Sequence, residues 1–342
     1  MPQTSWGTPP DPRAFRVLGP GTEGEAVRDL QTRLAALGYE PGPADAGTYG
    51  DTTVAAVRAF QTARGLRVDG ICGRQTWSSL VEAGYRLGDR LLYHRTPMLR
   101  GDDVLDLQAK LNALGFDAGR GDGIFGPHTA DALRDFQRNV AAVPDGICGP
   151  ESIAALDRLS RFAGGSVATV REKEALRDGA LHLAGRRVYL AVEPGLDALG
   201  DFVAKGLVEL GADVLYDGSG EDDSMVAAEA NRYAADLFLG LRFGDIGSAC
   251  ACDYFASQRS ASEAGRHVAR CISEELSPVL GCAPADPAGR AYAVLRETRM
   301  PAVVCQPVRA DNVEGVRRLV SRAGDAGRAI VHGVQRGVEE PL

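Results

Sequence analysis

The sequence predicts a multidomain chain: two small three-helix all-α modules, then one α/β domain whose mostly parallel sheet is flanked by helices. Three observations carry this. A segment of the first half recurs as a second copy. Within each copy the apolar residues fall at helical spacing. From Val188 onward, short apolar runs alternate with amphipathic stretches, the pattern of strands joined by helices. At 342 residues the chain exceeds a single small core. The modules are placed at 16–84 and 92–160, a linking helix at 161–187, and the α/β domain at 188–335.

The repeat is direct. LQTRLAALGYEPG from Leu30 returns as LQAKLNALGFDAG from Leu107, and AVRAFQTARGLRVDGICG from Ala56 returns as ALRDFQRNVAAVPDGICG from Ala132. Such self-similarity marks a duplicated unit. Val27, Leu30, Leu34 and Leu37 line one helical face before Gly38, as Val104, Leu107, Leu111 and Leu114 do before Gly115. A second helix carries Thr53, Val57 and Phe60, matched by Thr129, Leu133 and Phe136. An Asp-Gly turn at Asp69-Gly70 or Asp145-Gly146 leads to a short third helix.

These residues resemble the three-helix peptidoglycan-binding module of cell-wall hydrolases. In the second copy the match runs through Asp122-Gly123-Ile124-Phe125-Gly126, Thr129, Phe136-Gln137 and Asp145-Gly146. In the first it runs through Asp45, Tyr49-Gly50, Thr53, Phe60-Gln61, Asp69-Gly70 and Thr76, with an altered first loop. The resemblance implies a peptidoglycan fragment or precursor as ligand. It implies contacts from Asp122, Gly123, Phe125, Gly126, Thr129, Asp145 and Gly146, and from Asp69 and Gly70. Most of these residue types also form turns and cores, so a purely structural role stays open.

In the second half, Val188–Val192 reads as a buried strand with its exit turn at Glu193-Pro194-Gly195. Asp201–Leu210 reads as a helix burying Phe202, Val203, Leu207 and Leu210. Ala212–Tyr216 and Asp236–Leu241 read as strands, and Ser224–Ala235 and Ser260–Leu276 as helices. Tyr292–Arg296 and Ala302–Cys305 are further strand candidates, and Val313–Ala323 is a closing helix. Sites in such sheets form at the carboxyl ends of the strands.

This half resembles the zinc-dependent N-acetylmuramoyl-L-alanine amidases. The match lies in Glu193-Pro194-Gly195, Ala230-Asn231, Ala235-Asp236-Leu237-Phe238, the run from Leu295 through Arg299-Met300-Pro301 to Val304, and Asn312. The resemblance implies that the three zinc-ligand positions fall on Leu196, Met225 and Arg242, and the catalytic glutamate on Gln306. Zinc needs three protein donors and an open position. Leucine donates nothing, arginine stays charged, and glutamine takes no proton from water. The reading is a pseudoenzyme that needs no metal or other cofactor. Arg242, Arg296 and Arg299 are candidates to line the vacated cleft, where a guanidinium grips a carboxylate or phosphate.

The seven cysteines read as reduced thiols, with a metal site at Cys250 and Cys252 as the minor alternative. No nucleophile elbow or phosphate-binding glycine loop is present. A net charge of -8 argues against a nucleic-acid partner. No apolar run is long enough to span a membrane. The first residues lack the basic and apolar regions of a signal peptide, so the expected location is cytoplasmic. The module order also resembles a cytoplasmic actinobacterial group of amidase-like regulators of peptidoglycan synthesis. That resemblance implies a protein partner, the enolpyruvyl transferase of precursor synthesis. An active zinc amidase and an exported wall-binding scaffold are the alternatives.

Overall fold

The computed structural model describes residues 16–42, 46–160, 182–244, 250–257, 260–283 and 285–340. Most of the expected linking helix, and Asp45, lie outside them.

Each module is a three-helix unit. The first has α1 (Glu25–Ala36), α2 (Asp51–Ala63) and α3 (Arg74–Ala83); the second has α4 (Asp102–Ala113), α5 (Pro127–Asn139) and α6 (Pro150–Ser160). The periodic apolar residues form the two cores. Val27, Leu30, Leu34, Val57 and Phe60 are fully buried in one, and Val104, Leu107, Leu111, Leu133 and Phe136 in the other. A backbone bridge closes each unit, Leu18 to Cys72 and Leu92 to Cys148. The two cysteines therefore occupy equivalent interior positions and remain free thiols. Burial pushes each thiol's pKa up to about 12.

The α/β domain contains β1 (Arg187–Val192), α7 (Asp197–Glu209), β2 (Asp213–Asp217), α8 (Asp223–Tyr233), β3 (Leu237–Leu241) and β4 (Ala251–Phe255). It continues with α9 (Glu263–Leu280), β5 (Ala288–Arg290), α10 (Ala293–Glu297), β6 (Ala302–Gln306), α11 (Val313–Ser321) and α12 (Ala323–Glu339). The sheet order is β2-β1-β3-β6-β4-β5. All pairings are parallel except β4 against β6. Alternate strand residues face opposite layers. Leu190, Leu239 and Val303 pack with Val203, Ile272 and Ile330 of α7, α9 and α12. Tyr189, Phe238 and Val304 pack with Val226, Ala230 and Leu295 of α8 and α10.

Several expectations need correction. Tyr292–Arg296 is not a strand: the apolar residues Ala293, Val294 and Leu295 bury one side of the short helix α10. Phe202 is 48% exposed rather than buried, lying along the glycines of α12. The antiparallel strand β4 and the long helix α12 had no counterpart in the sequence reading. The cysteines are not all reduced: Cys250 and Cys282 are joined as a disulfide. Among the described residues no helix is long and apolar enough to cross a membrane.

α12 packs closely on α9 through small residues. A Cβ at Gly333 would lie 2.5 Å from Ile272 Cα, and one at Gly337 2.8 Å from Val268 Cα. Only hydrogen at these positions lets the two backbones meet.

The modules are seated on the α/β domain through charged contacts. Arg64 and Asp102 join module to module with two hydrogen bonds of 2.8 Å. Arg296 of α10 pairs with Glu82 of the first module at 2.7 Å. Arg100 of the second module donates to Glu297 at 2.9 Å. Arg120 donates to the Leu295 carbonyl at 2.9 Å and lies over the Phe255 ring at 4.5 Å.

Candidate functional site

Within each module, one buried glutamine holds each Asp-Gly loop. Gln137 Nε2 donates to Asp145, to the Ile147 carbonyl and to Ser152, while its Oε1 accepts from the Gly146 amide at 2.9 Å. Gln61 does the same for Asp69, Ile71, Thr76 and Gly70. Gln108 does so for Asp122, Ile124, Thr129 and Gly123. Gln31 holds the altered first loop through Thr48, Thr53 and Gly47. Each side-chain amide oxygen thus satisfies a buried glycine N–H that would otherwise be unpaired. The glutamine was visible in sequence only as the partner of Leu or Phe in a repeated pair, and its fourfold recurrence was the available signal.

This network places the module residues singled out from the sequence. Gly70, Gly123 and Gly146 carry φ of 75°, 73° and 74°, the left-handed turn that glycine favours. Phe125 is fully buried and Thr129 is 1% exposed. Desolvation raises the Asp122 pKa despite its hydrogen bonds to Gln108 and Ile124. Asp145 is lowered instead, by the Ile147 amide and by Gln137. The side chains of Asp122, Phe125 and Thr129 thus shape the loop from inside. Gly126 and its neighbours Pro127 and His128 face a cavity.

At the carboxyl ends of β1, β3 and β6, the positions assigned to the amidase site hold a different set of contacts. Leu196 is 4% exposed and begins α7, packed into the core. Met225 is 60% exposed on the first turn of α8. Arg242, just after β3, pairs instead with Asp223 on that turn. Burial opposes its charge, but Asp223 and then Glu193 raise its pKa. Gln75 of the first module donates to the second oxygen of Asp223 at 2.6 Å. Gln306 ends β6 and is 5% exposed. Its amide donates to the buried Asp253 at 3.0 Å, and Tyr292 donates to the same oxygen at 2.9 Å. A glutamate at 306 would set two carboxylates against each other.

These residues do not fit a zinc ion. The five histidines, His94, His128, His182, His267 and His332, lie in the second module, before β1, and in α9 and α12. Among the described residues no group of three or more His, Cys, Asp or Glu side chains is arranged to hold a metal. Cys250 is spent on Cys282, and Cys252 lies against Cys305, so the C-x-C pair does not converge on one point. Of the candidate cleft arginines, only Arg242 sits at these strand ends. Arg296 is engaged by Glu82, with burial opposing and Glu82 raising its pKa. Arg299 is exposed, with its backbone amide on Asn231.

Comparison with known proteins agrees with both halves. A family model described as "Putative peptidoglycan binding domain" matches residues 23–80 and 100–156. The N-acetylmuramoyl-L-alanine amidase CwlM of Mycobacterium tuberculosis is 36% identical over 328 residues, covering 83% of this chain and 79% of that one. The chain belongs to the CwlM family. A probable N-acetylmuramoyl-L-alanine amidase of Bacillus licheniformis is 34% identical over 154 residues, 40% of this chain and 44% of its own. The crystal structure of an N-acetylmuramoyl-L-alanine amidase from Clostridium difficile 630 aligns at a TM-score of 0.38 and 14% identity, covering 46% of this chain and all of that one. In this CwlM-family chain the amidase chemistry is lost: with leucine, arginine and glutamine in place, neither a metal-bound water nor a general base can form.

Proposed function

We propose that the chain is a non-catalytic regulator of peptidoglycan synthesis acting in the cytoplasm. It recognises a muropeptide or precursor through its modules and contacts an enzyme of the precursor pathway, the enolpyruvyl transferase. One observation carries the reading. At the strand ends where a hydrolase would hold metal and base, Arg242 is paired with Asp223, and Asp223 in turn takes Gln75 of the first module. A hydrolytic cleft has become a joint between domains, which serves recognition and not bond cleavage. The test is affinity capture with the full chain from the native cytoplasm, followed by transferase rates with and without it. Recovery of the transferase with a changed rate supports the reading. Recovery of secreted wall material alone, with the rate unchanged, overturns it.

The Cys250–Cys282 disulfide favours a second reading, an exported wall-binding scaffold, because such bonds persist in oxidising compartments. Fractionation of the native cells separates the two.

A further inference from the structure

A cavity of about 850 Å³ lies between the second module and the α/β domain. It is as large as the sites that enclose small ligands. One wall is the loop from Asp122 to His128, which Gln108 holds from inside. The other wall is built from α8 and from Thr298 to Pro301. Neither domain makes the cavity alone, and the Arg100–Glu297 and Arg120–Leu295 contacts fix the walls against each other.

Besides the carboxylates of Asp117, Asp122, Asp236 and the Arg100-paired Glu297, the lining has two chemical regions. Met98, Ile124, Pro127, Met300 and Pro301 give it an apolar, deformable floor. At its edge stands Arg299. Arg100, Arg242 and Arg296 are each paired with a carboxylate. The Arg299 guanidinium has no ion pair or hydrogen bond among the described residues, and its backbone is held by Asn231 at 2.8 Å. A fixed main chain below an unengaged fork of donors is arranged to receive a carboxylate bidentately.

We infer that this composite cavity binds a short peptide bearing a free carboxylate, with Arg299 on the carboxylate and the methionine-lined floor under the aliphatic side chains. The inference rests on the proposal that the modules recognise a wall-derived ligand, and it assigns that recognition to the joint between second module and α/β domain.

The experiment is isothermal titration of the full chain with N-acetylmuramoyl-L-alanyl-D-isoglutamine, which carries one free carboxylate, and with its carboxamide counterpart. Two variants accompany it. Arg299→Ala removes the guanidinium from an exposed position. Ala228→Trp, at an exposed position on α8, fills the cavity from the α/β side. Circular dichroism confirms that both fold. The expected result is binding by the natural chain that weakens about tenfold or more with Arg299→Ala and with the carboxamide, and is lost with Ala228→Trp. Binding of equal strength in both variants would overturn the composite site while leaving ligand recognition by the modules intact. Failure of the natural chain to bind either probe at millimolar concentration would overturn both.

Discussion

Gln75 Nε2 lies 2.6 Å from Asp223 Oδ2, the carboxylate that also neutralises Arg242. A side chain of the first module therefore reaches the carboxyl end of β3. Arg242, on which the amidase resemblance places a zinc ligand, pairs with the same acid that receives this contact.

Replacing Arg242 should loosen that joint. The pair is partly shielded, with side-chain exposures of 26% and 13%. Arg242→Ala should therefore cost about 2 kcal/mol, less than a fully buried pair. Chemical denaturation measures the loss, and proteolysis between the second module and β1 should speed up. Arg242→His should bind no zinc by elemental analysis, because Leu196 and Met225 remain at the other two ligand positions.

The glutamine latches make a sharper case. Gln137→Ala leaves the buried Gly146 amide without its partner, at a cost of about 1–3 kcal/mol. Calorimetry should show a lower midpoint for the variant. A midpoint matching that of the natural chain would mean that water replaces the amide.

The two loop aspartates should respond oppositely to acid. The Asp145 pKa is lowered from 3.8 by the Ile147 amide and Gln137, so its contribution is present above pH 4 and is lost as pH falls through the lower folded value. The stability gap between the natural chain and Asp145→Asn should narrow between about pH 5 and pH 2. The Asp122 pKa is raised by burial, so its ionisation weakens the fold above pH 4. Asp122→Asn should be tolerated better at pH 7 than at pH 3, by urea unfolding at each pH.

Packing of α12 on α9 allows no side chain at Gly333. Gly333→Val should destabilise the α/β domain by several kcal/mol, about the upper range of overpacking. Loss of cooperative unfolding in that domain, with the module transition retained, is the expected calorimetric trace.

Cys72 and Cys148, raised to about 12 by burial, should resist iodoacetamide at pH 8 until the modules unfold. Mass mapping of the labelled peptides checks this.

What the sequence revealed follows from where its periodicity was clean. Leu107, Leu111 and Leu133 mark their helices because nothing but burial selects them. Leu237–Leu241 and Ala302–Gln306 are strands buried along their length, so they read as continuous apolar runs. β4 was hidden because Asp253 interrupts its apolar run, and that acid is retained to hold Gln306 and Tyr292. α12 was hidden because its glycines lower helix propensity, although their contact with α9 depends on them. The Tyr292–Arg296 run was too short for its period to separate strand from helix. At the site, the residue types at Leu196, Met225, Arg242 and Gln306 were legible in the sequence. That Arg296 serves Glu82, and that Asp223 receives Gln75, depends on the docking of distant segments and leaves no local pattern.

The fourfold glutamine latch has an evolutionary consequence. Each loop takes its shape from an amide in the interior, so the outward-facing residues of that loop carry little of the folding burden. They can drift freely while the backbone stays in place. A module built this way can exchange one binding specificity for another by point substitution without first acquiring a compensating change in its core.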